Sequence, residues 1–208
     1  MTELAIIIVL SYLIGSIPTS VIAGKLFKGI DIRKHGSGNA GATNVVRVMG
    51  WKIGVGVLLL DMAKGFVATY YFSQIGMDSV PLDHSIVQLI AGFTAVFGHI
   101  WSVFVKFKGG KGVATAGGMA YGLAPLTISL SLVVFLIFVI PTRYVSLGSI
   151  MAAVSFSTIM VVRKFGMGHD IPMPIIYFAF FATALFLYTH RTNIKRLLNG
   201  TENKFKKS

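Results

Sequence analysis

The sequence predicts an all-α, polytopic membrane protein of about seven transmembrane helices, one of them short or broken. Apolar residues make up 54% of the 208 residues and charged residues only 12%, with a mean hydropathy of +0.76. Soluble domains carry about twice that share of charge. Several apolar runs reach the roughly 20 residues that a helix needs to cross a hydrocarbon core. One bundle accounts for the whole length, so residues 1–208 are predicted to form a single domain.

Apolar run length and flanking charge place five spans. They are predicted at Leu4 to Phe27, Trp51 to Ile75, Ser85 to Val105, Tyr144 to Val162 and Pro172 to Thr189. The stretch from Val113 to Ile140 is interrupted by Gly122 and Pro125, which predicts a short or broken helix followed by a full one. The first residues have no basic n-region, so the first run is predicted to be a retained span.

Most Lys and Arg residues are concentrated in three islands, which set the predicted topology. Segments 25–52, 106–111 and 191–207 contain six, three and six basic residues. Loops rich in Lys and Arg stay in the cytoplasm, so an even number of crossings should separate each pair of islands. Two helices between Val113 and Ile140 satisfy this parity and predict the N-terminus outside and the C-terminus in the cytoplasm. The loop at Arg163 and Lys164 then lies outside, against the rule.

Composition excludes several kinds of chemistry. No cysteine is present, which removes disulfides, thiolate metal sites and a cysteinyl acyl-enzyme. The seven carboxylates form no tight cluster, so no metal and no cofactor is predicted. The His-x4-Asp base of many thioester acyltransferases is absent. The net charge of +12 could attract nucleic acid, but the cations lie beside spans, where anionic lipid headgroups and phosphorylated substrates are closer partners.

The first island contains a run, Gly36 to Asn44, in which glycines alternate with small polar residues. Its start fits the G-x-G-x-x-G dinucleotide fingerprint, but that motif requires a preceding strand, and here a membrane span precedes it. Glycines still bring backbone N–H groups close to an anion, and Arg47 can bind phosphate oxygens bidentately. A flexible exposed loop is the plainer alternative, and the interleaved polar residues favour a binding site. The candidates are Ser37, Gly38, Asn39, Thr43, Asn44 and Arg47.

The second island contains four residues, Gly109, Gly110, Lys111 and Gly112, directly before the predicted broken helix. The pattern resembles a phosphate nest with an attached ammonium group. It is not a Walker loop, because Gly112 stands where that loop needs Ser or Thr. An ordinary basic turn at the membrane is the alternative. His99, near the end of its span, fits a structural role as well as a role in the site.

The third island begins with residues that helical spacing brings to one face: His190, Asn193 and Leu197. A solvated basic tail is the usual alternative, but it does not explain the pairing of an imidazole with an amide. Within the second span, Asp61 and Lys64 are three residues apart and can form an ion pair. Charges are expensive inside a membrane, so we predict a structural or supporting role for this pair near the site.

Together, the three islands resemble those of the bacterial membrane acyl-phosphate:glycerol-3-phosphate acyltransferase family. The matching stretches are Gly36 to Arg47, Gly98 to Thr115 and His190 to Glu202, in the family's order, and the resemblance covers essentially the whole chain. It implies transfer of a fatty acyl group from acyl phosphate to the 1-hydroxyl of glycerol 3-phosphate, giving lysophosphatidic acid and phosphate. This is the first acylation of bacterial phospholipid synthesis. A bacterial cytoplasmic membrane is therefore expected, with the site at the cytoplasmic face and no obligatory protein partner.

The resemblance also implies roles for individual residues. Those expected to be catalytic are Ser37, Arg47, His190 and Asn193. Those expected to bind substrate are Gly38, Asn39, Thr43, Asn44, Gly109, Gly110, Lys111 and Gly112, while Glu202 is expected to hold the third motif. The expected reaction is direct attack by the glycerol hydroxyl in one cationic pocket, with His190 or a substrate phosphate oxygen as the base. An anion transporter and an intramembrane serine hydrolase built on Ser37 and His190 are the alternative functions.

Overall fold

The computed structural model describes residues 2–204, so Lys206 and Lys207 of the third island lie outside the described part. The described chain is helical and divides into two compact units, Met1–Leu123 and Ala124–Ser208. The first unit contains α1 Thr2–Ser16, α2 Thr19–Lys28, α3 Ala42–Met49, α4 Trp51–Tyr70, α5 His84–Ile100 and α6 Val113–Leu123. The second contains α7 Pro125–Thr142, α8 Val145–Val161, α9 Met173–Thr189 and α10 Arg191–Leu198.

Five helical segments are long and apolar enough to cross a membrane. They are Thr2–Lys28, Trp51–Gln74, His84–Val105, Pro125–Thr142 and Val145–Gly166. Helices α9 and α10 form a sixth if the pair, bent by 61°, is counted as one span. The predicted division of the stretch from Val113 to Ile140 is confirmed, because the short α6 ends before Ala124 and the full-length α7 begins at Pro125. The chain is an all-helical, multi-pass membrane protein.

The predicted first span, Leu4 to Phe27, corresponds to the segment Thr2–Lys28, which is broken near its middle. Helix α1 ends at Ser16 and α2 begins at Thr19. The cause is Pro18, which has no N–H to donate and disfavours the helical conformation of the residue before it. The break leaves carbonyl groups of α1 without partners in their own helix, and these become available to side chains from neighbouring helices.

Close backbone contacts hold the first unit together. Helix α1 packs on α5, and α4 packs on α6. A Cβ atom at Gly15 would lie 2.2 Å from the carbonyl oxygen of Ala95, and one at Gly118 would lie 1.8 Å from that of Met62. Only glycine permits this approach. Such small-residue contacts are typical of membrane helices, because lipid supplies no hydrophobic driving force between them.

The two ends of the first unit differ in charge. At one end, the Arg33 guanidinium of the first island donates to the carbonyl oxygen of Val105, next to the second island, at 3.2 Å. At the opposite end, Gly76 packs against the side chain of Glu3, and the loop there carries Asp78 and Asp83. Both basic islands of this unit therefore lie at one end of it, and acidic residues lie at the other.

In the second unit, α8 packs against both α7 and α9, and its last turn continues as a π-helix, Val162–Gly166. Arg163 Nη1 donates to Thr127 Oγ1 at the start of α7 at 2.9 Å. Lys164 Nζ donates to the carbonyl oxygen of Ile171. The two cations that depart from the positive-inside rule in the predicted topology are therefore bound within the unit.

Candidate functional site

A buried amide organises the first glycine motif. Asn44 is 2% exposed, and its Oδ1 accepts a hydrogen bond from the backbone N–H of Ser37 at 2.8 Å. Its Nδ2 lies 3.2 Å from the carbonyl oxygen of Ile32, 3.0 Å from that of His35 and 3.0 Å from that of Asn39. The sequence-based expectation was that this side chain binds substrate. In the structure it binds the loop backbone, and we assign it a positioning role.

Asn44→Asp is expected to destabilise the protein more than Asn44→Ala. The alanine variant leaves the loop groups unpaired, which should cost about 2 kcal/mol of unfolding free energy. The aspartate variant adds a buried charge and points a carboxylate oxygen at three carbonyl oxygens, a repulsion that the amide does not have. Thermal unfolding in detergent measures the stability of both Asn44 variants. Thr43→Ala, at the exposed neighbouring position, is the control. Equal stability of the two Asn44 variants would contradict this assignment.

Three predicted polar residues of the first motif remain open to solvent. Ser37, Thr43 and Arg47 are exposed, and within the part of the chain that the structure describes no hydrogen bond of their side chains is found. Thr43 and Arg47 lie four residues apart on α3, so they share one face of that helix. Asn39 is half-buried and packs against Gly41. These side chains are available to a ligand at the basic end of the unit.

Each glycine motif leads directly into the start of a helix. Gly41 precedes α3 with an extended backbone and no side-chain cap, and Gly112, at φ +77°, precedes α6. The first amides of a helix have no partner within it, and the helix dipole places partial positive charge there. Together with the exposed Lys111, this is the arrangement that phosphate groups bind.

The second glycine motif meets the first in this unit. The amide of Gly110 donates to the carbonyl oxygen of His99 at 3.0 Å, and that of Gly109 donates to Ile100 at 3.0 Å. A Cβ atom at Gly110 would lie 2.2 Å from His99 Nε2 and 2.7 Å from the carbonyl oxygen of Ala40. The two motifs, which are distant in the sequence, are therefore in contact through glycine.

A small, partly open pocket lies where the motifs meet. The buried Ser16 hydroxyl, which belongs to its wall, has no hydrogen-bond partner within the described residues. The lining residues are Ser16, Ile17, Pro18, Thr19, Ser20, Ala40, His99, Ser102, Gly109 and Gly110. The pocket thus joins the break between α1 and α2 to both glycine motifs.

Beside this pocket, side chains from three helices surround one carboxylate oxygen. As predicted from their spacing, Lys64 and Asp61 form an ion pair, with Lys64 Nζ 2.8 Å from Asp61 Oδ1. Thr19 Oγ1 donates to the same oxygen at 2.5 Å, and His99 Nδ1 faces it at 3.6 Å. All three ionisable members are buried: Asp61 is 1%, Lys64 4% and His99 7% exposed.

A second ion pair fixes the entrance to the first motif. Arg33 Nη2 lies 2.8 Å from Asp31 Oδ2, and Asp31 Oδ1 also accepts the backbone N–H of Arg33 at 3.0 Å. The hydrogen bond from the Arg33 guanidinium lowers the pKa of Asp31 to about 2. Asp31 is the only carboxylate of segment 25–52, and this pairing offsets its charge. The rest of that island stays strongly cationic.

In the second unit, Glu202 holds the third motif. Its Oε1 accepts from Asn193 Nδ2 at 2.9 Å and from Ser146 Oγ at 3.0 Å, while Oε2 pairs with Arg196 Nε at 2.7 Å. These contacts join α10, α8 and the segment after α10. The arrangement fits the structural role expected of Glu202, and it turns the amide of Asn193 toward this carboxylate.

The pairing with Arg196, followed by the hydrogen bond from Asn193, holds the pKa of Glu202 below its usual value of about 4.5. A carboxylate whose pKa is lower in the folded state stabilises it above the unfolded value, and this stability is lost as the pH falls toward the folded value. Glu202→Gln should therefore lower the melting temperature at pH 7, and the difference from wild type should shrink below about pH 4.5. A difference independent of pH between 3 and 7 would contradict this role.

His190 lies at the bend between α9 and α10, where its ring stacks on Phe186 with centroids 4.1 Å apart. Its Nδ1 lies 3.0 Å from the carbonyl oxygen of Phe186. A carbonyl oxygen can only accept, so Nδ1 carries the proton in this contact. In the neutral ring the lone pair is then on Nε2, and this nitrogen can accept a proton.

Several residues that hold the site were not predicted from the sequence. Thr19, Arg33 and Ser102 join segments far apart in the chain, and Asp31 pairs with Arg33 two residues away. Pro18 was the available signal for the break on which the pocket depends. Of the predicted residues, Gly110 of the second motif meets the first motif at Ala40 in the first unit, and Asn193 pairs with Glu202 in the second.

Comparisons with known proteins identify the family of this chain. Residues 5–200 match the family model described as glycerol-3-phosphate acyltransferase. Proteins of that name from Chlorobium phaeobacteroides (strain BS1) and Chlorobaculum tepidum are 47% and 48% identical, over 99% and 98% of this chain and 98% and 97% of theirs. A similar solved structure is the crystal structure of PlsY (YgiH), an integral membrane glycerol 3-phosphate acyltransferase, in its glycerol 3-phosphate form. Its sequence is 40% identical to this chain, and the TM-score is 0.72. The match covers 98% of this chain and 96% of that chain. The lysophosphatidic acid form is 39% identical, with a TM-score of 0.71 over 98% and 95% of the two chains. The chain therefore belongs to the glycerol-3-phosphate acyltransferase family of integral membrane enzymes.

Proposed function

We propose that this enzyme transfers a fatty acyl group from acyl phosphate to the 1-hydroxyl of glycerol 3-phosphate, releasing lysophosphatidic acid and phosphate. The observation that carries the proposal is the contact between the two glycine motifs at the basic end of the first unit, through Ala40, Gly110 and His99. Both reactants carry a phosphate, and each motif leads into a helix start. The exposed Lys111 lies directly before α6, and the exposed Arg47 lies in the last turn of α3. Relatives crystallised in glycerol 3-phosphate and lysophosphatidic acid forms support this substrate and product.

Two features that are missing from the sequence support acyl phosphate as the acyl donor. The sequence contains no cysteine and no His-x4-Asp motif. Acyl phosphate is a mixed anhydride with an activated carbonyl carbon and a good leaving group, so direct attack needs no acyl-enzyme. Positioning and electrostatic stabilisation are then the main requirements, and a preorganised cationic loop supplies both.

The chemical step is a single acyl transfer. The glycerol oxygen attacks the carbonyl carbon of acyl phosphate, its proton passes to a base, and the bond from that carbon to the phosphate oxygen breaks. We assign Ser37 as a donor to the developing oxyanion, because its hydroxyl is exposed and its backbone is held by Asn44. Arg47 and Lys111 neutralise phosphate charge. His190, through Nε2, or a substrate phosphate oxygen serves as the base.

The remaining members of the motifs are assigned supporting roles. Gly38, Gly109 and Gly112 keep the loops open to phosphate, and Asn39 and Thr43 add polar contacts. Asn193 acts with His190 in the same reaction and is oriented by Glu202. We propose that both units work as one catalytic domain, with no obligatory protein partner and with the acyl chain in contact with membrane lipid.

The proposed topology has seven spans, with α6 as the short one, the N-terminus outside and the C-terminus in the cytoplasm. The charge difference between the ends of the first unit supports it, because basic segments stay in the cytoplasm. The site is then at the cytoplasmic face of the bacterial inner membrane. Because the chain has no native cysteine, single cysteines at Lys52 and Asp78 can be labelled with an impermeant thiol reagent in intact cells. Labelling of Lys52→Cys but not Asp78→Cys would contradict this orientation.

The test is phosphate release by purified protein supplied with acyl phosphate and glycerol 3-phosphate. Acyl-CoA should not replace the donor, and omission of glycerol 3-phosphate should stop the release. Ser37→Ala is expected to lower kcat by about 10² to 10³, as for other oxyanion donors. Trapping an acyl group on Ser37 by mass spectrometry would overturn direct attack.

Arg47→Lys keeps the charge of the first motif but removes the planar fork that binds two phosphate oxygens. A bidentate site does not tolerate this change well, so kcat/KM is expected to fall about tenfold or more, and further in Arg47→Ala. Lys52, which is exposed in the next helix, offers a matched control. Lys52→Ala should leave kcat/KM within about twofold of wild type, since a single exposed charge contributes little. Full activity of Arg47→Ala would remove Arg47 from the site.

A further inference from the structure

The buried cluster of Asp61, Lys64, His99 and Thr19 has no part in the proposed chemical step. One of its contacts reaches the break in the first span. Lys64 Nζ donates to the carbonyl oxygen of Ile17 at 2.8 Å. Thr19, which donates to the same Asp61 oxygen as Lys64, is the first residue of α2. Ile17 lies in the break, and its carbonyl oxygen also accepts the backbone N–H of Thr19 at 3.0 Å. The cluster therefore fixes the geometry of the break, whose residues line one side of the pocket.

Another contact reaches the second glycine motif. His99 Nδ1 faces the Asp61 carboxylate, and the other edge of the same ring lies against Gly110. The carbonyl oxygen of His99 also accepts the amide of Gly110. The ring is thus a wall of the loop that precedes Lys111, and Asp61 is the charged group that faces it from α4. A substitution of Asp61 is therefore expected to move this ring and, with it, the loop.

Helix packing alone does not account for the cluster. A charged residue is costly to place in a membrane helix, and apolar residues of similar size would join helices at least as well. Elsewhere in this unit, α1 joins α5 and α4 joins α6 through glycines, without ionisable groups. The charged cluster lies between the break in the first span and the loop Gly109–Gly112, and it contacts both.

We propose that Asp61 is a positioning residue that acts through Lys64 and His99 to fix the loop Gly109–Gly112 against the break between α1 and α2. In this way it sets the affinity for the phosphate group that Lys111 binds. The inference rests on the proposed function, because the phosphate in question belongs to one of its two substrates. Under this proposal, a carboxylate inside the membrane and away from the reacting atoms controls the affinity for a substrate.

The test measures KM for each substrate separately. Lys111→Ala first identifies the substrate whose KM depends on the loop. Asp61→Asn, which keeps the size and removes the charge, is expected to raise the KM of that same substrate about tenfold, with kcat within about threefold and the other KM unchanged. His99→Gln should have a similar effect. Because both act on one loop, the double variant should raise KM no further than about either single variant.

A purely structural cluster gives a different result. The yield of folded, active enzyme would then fall in Asp61→Asn while both KM values stayed at wild type, and this outcome would overturn the inference. The control is Ser85→Ala at the other end of α5, which removes the hydrogen bond from Ser85 Oγ to Asp83. It should lower the melting temperature without changing either KM.

A milder variant serves if Asp61→Asn does not fold. Thr19→Val removes one hydrogen bond to Asp61 and keeps the shape of the side chain. It is expected to raise the same KM about fivefold, and an unchanged KM would count against the inference. Wild-type protein that releases no phosphate from acyl phosphate would instead contradict the proposed function, whatever the variants do.

Discussion

Replacement of His190 by alanine is expected to lower kcat by about 10² to 10⁴, the usual contribution of a general base. The reason is geometric. The contact between Nδ1 and the Phe186 carbonyl, together with stacking on the Phe186 ring, holds the imidazole with its lone pair on Nε2. The wild-type profile of kcat against pH should show an acidic limb, where protonation of the base stops the reaction, and the variant should lack it. Steady-state rates from pH 5 to 9 measure this.

His169 offers a matched control for this prediction, because it is an exposed histidine in the loop between α8 and α9. His169→Ala should keep wild-type kcat and the acidic limb. If His190→Ala loses activity but retains the acidic limb in its residual rate, a substrate phosphate oxygen is the base. His190 would then have only an electrostatic or orienting role.

Gly110→Ala is expected to lower kcat/KM by about 10², which is the scale of loss when a reacting group is misplaced by about 1 Å. The added Cβ would lie 2.2 Å from His99 Nε2 and 2.7 Å from the Ala40 carbonyl oxygen. The ring, which is fixed from its other side by Asp61, has little room to move, so the loop must shift. Both glycine motifs would be displaced together.

Gly117→Ala provides the comparison, because a Cβ built at Gly117 meets nothing within 4 Å beyond its chain neighbours and the nearby backbone of its own helix. Alanine is favoured over glycine in a helix interior by about 1 kcal/mol, so this variant of α6 should be as stable as wild type or more so, with full activity. Size-exclusion chromatography and thermal unfolding establish that each variant is folded. Wild-type kcat/KM in Gly110→Ala would show that the contact of the two motifs does not shape the site.

Predictions from the sequence succeeded where one local property decided the outcome. The spans beginning at Trp51 and Ser85 were found within a residue or two, because membrane thickness sets the length of an apolar helix. The division before Pro125 was found because proline ends a helical run. Pro18 carries the same signal, but the length of the apolar run placed the span without showing the break inside it. The break was therefore missed.

Residues in the predicted site differ in how much of their role the sequence could show. The glycine spacing around Lys111 was recognisable, because a phosphate-binding loop has this local pattern. The residues of the third motif were recognisable through the resemblance to the family. The role of Asn44 was not, since its amide binds three carbonyl groups that lie 5, 9 and 12 residues away in the chain. A substrate ligand and a loop-organising residue have the same side chain, and only its surroundings distinguish them.

By itself, the sequence determined the class of protein, the positions of most spans and the three basic motifs, because hydropathy and charge act through local composition. The tertiary structure decided which of these stretches meet. Contact between Gly110, Ala40 and His99, and the gathering of Thr19, Lys64 and His99 around Asp61, depend on the packing of α2, α4 and α5. Such contacts join residues tens of positions apart, and no local pattern in the chain specifies them.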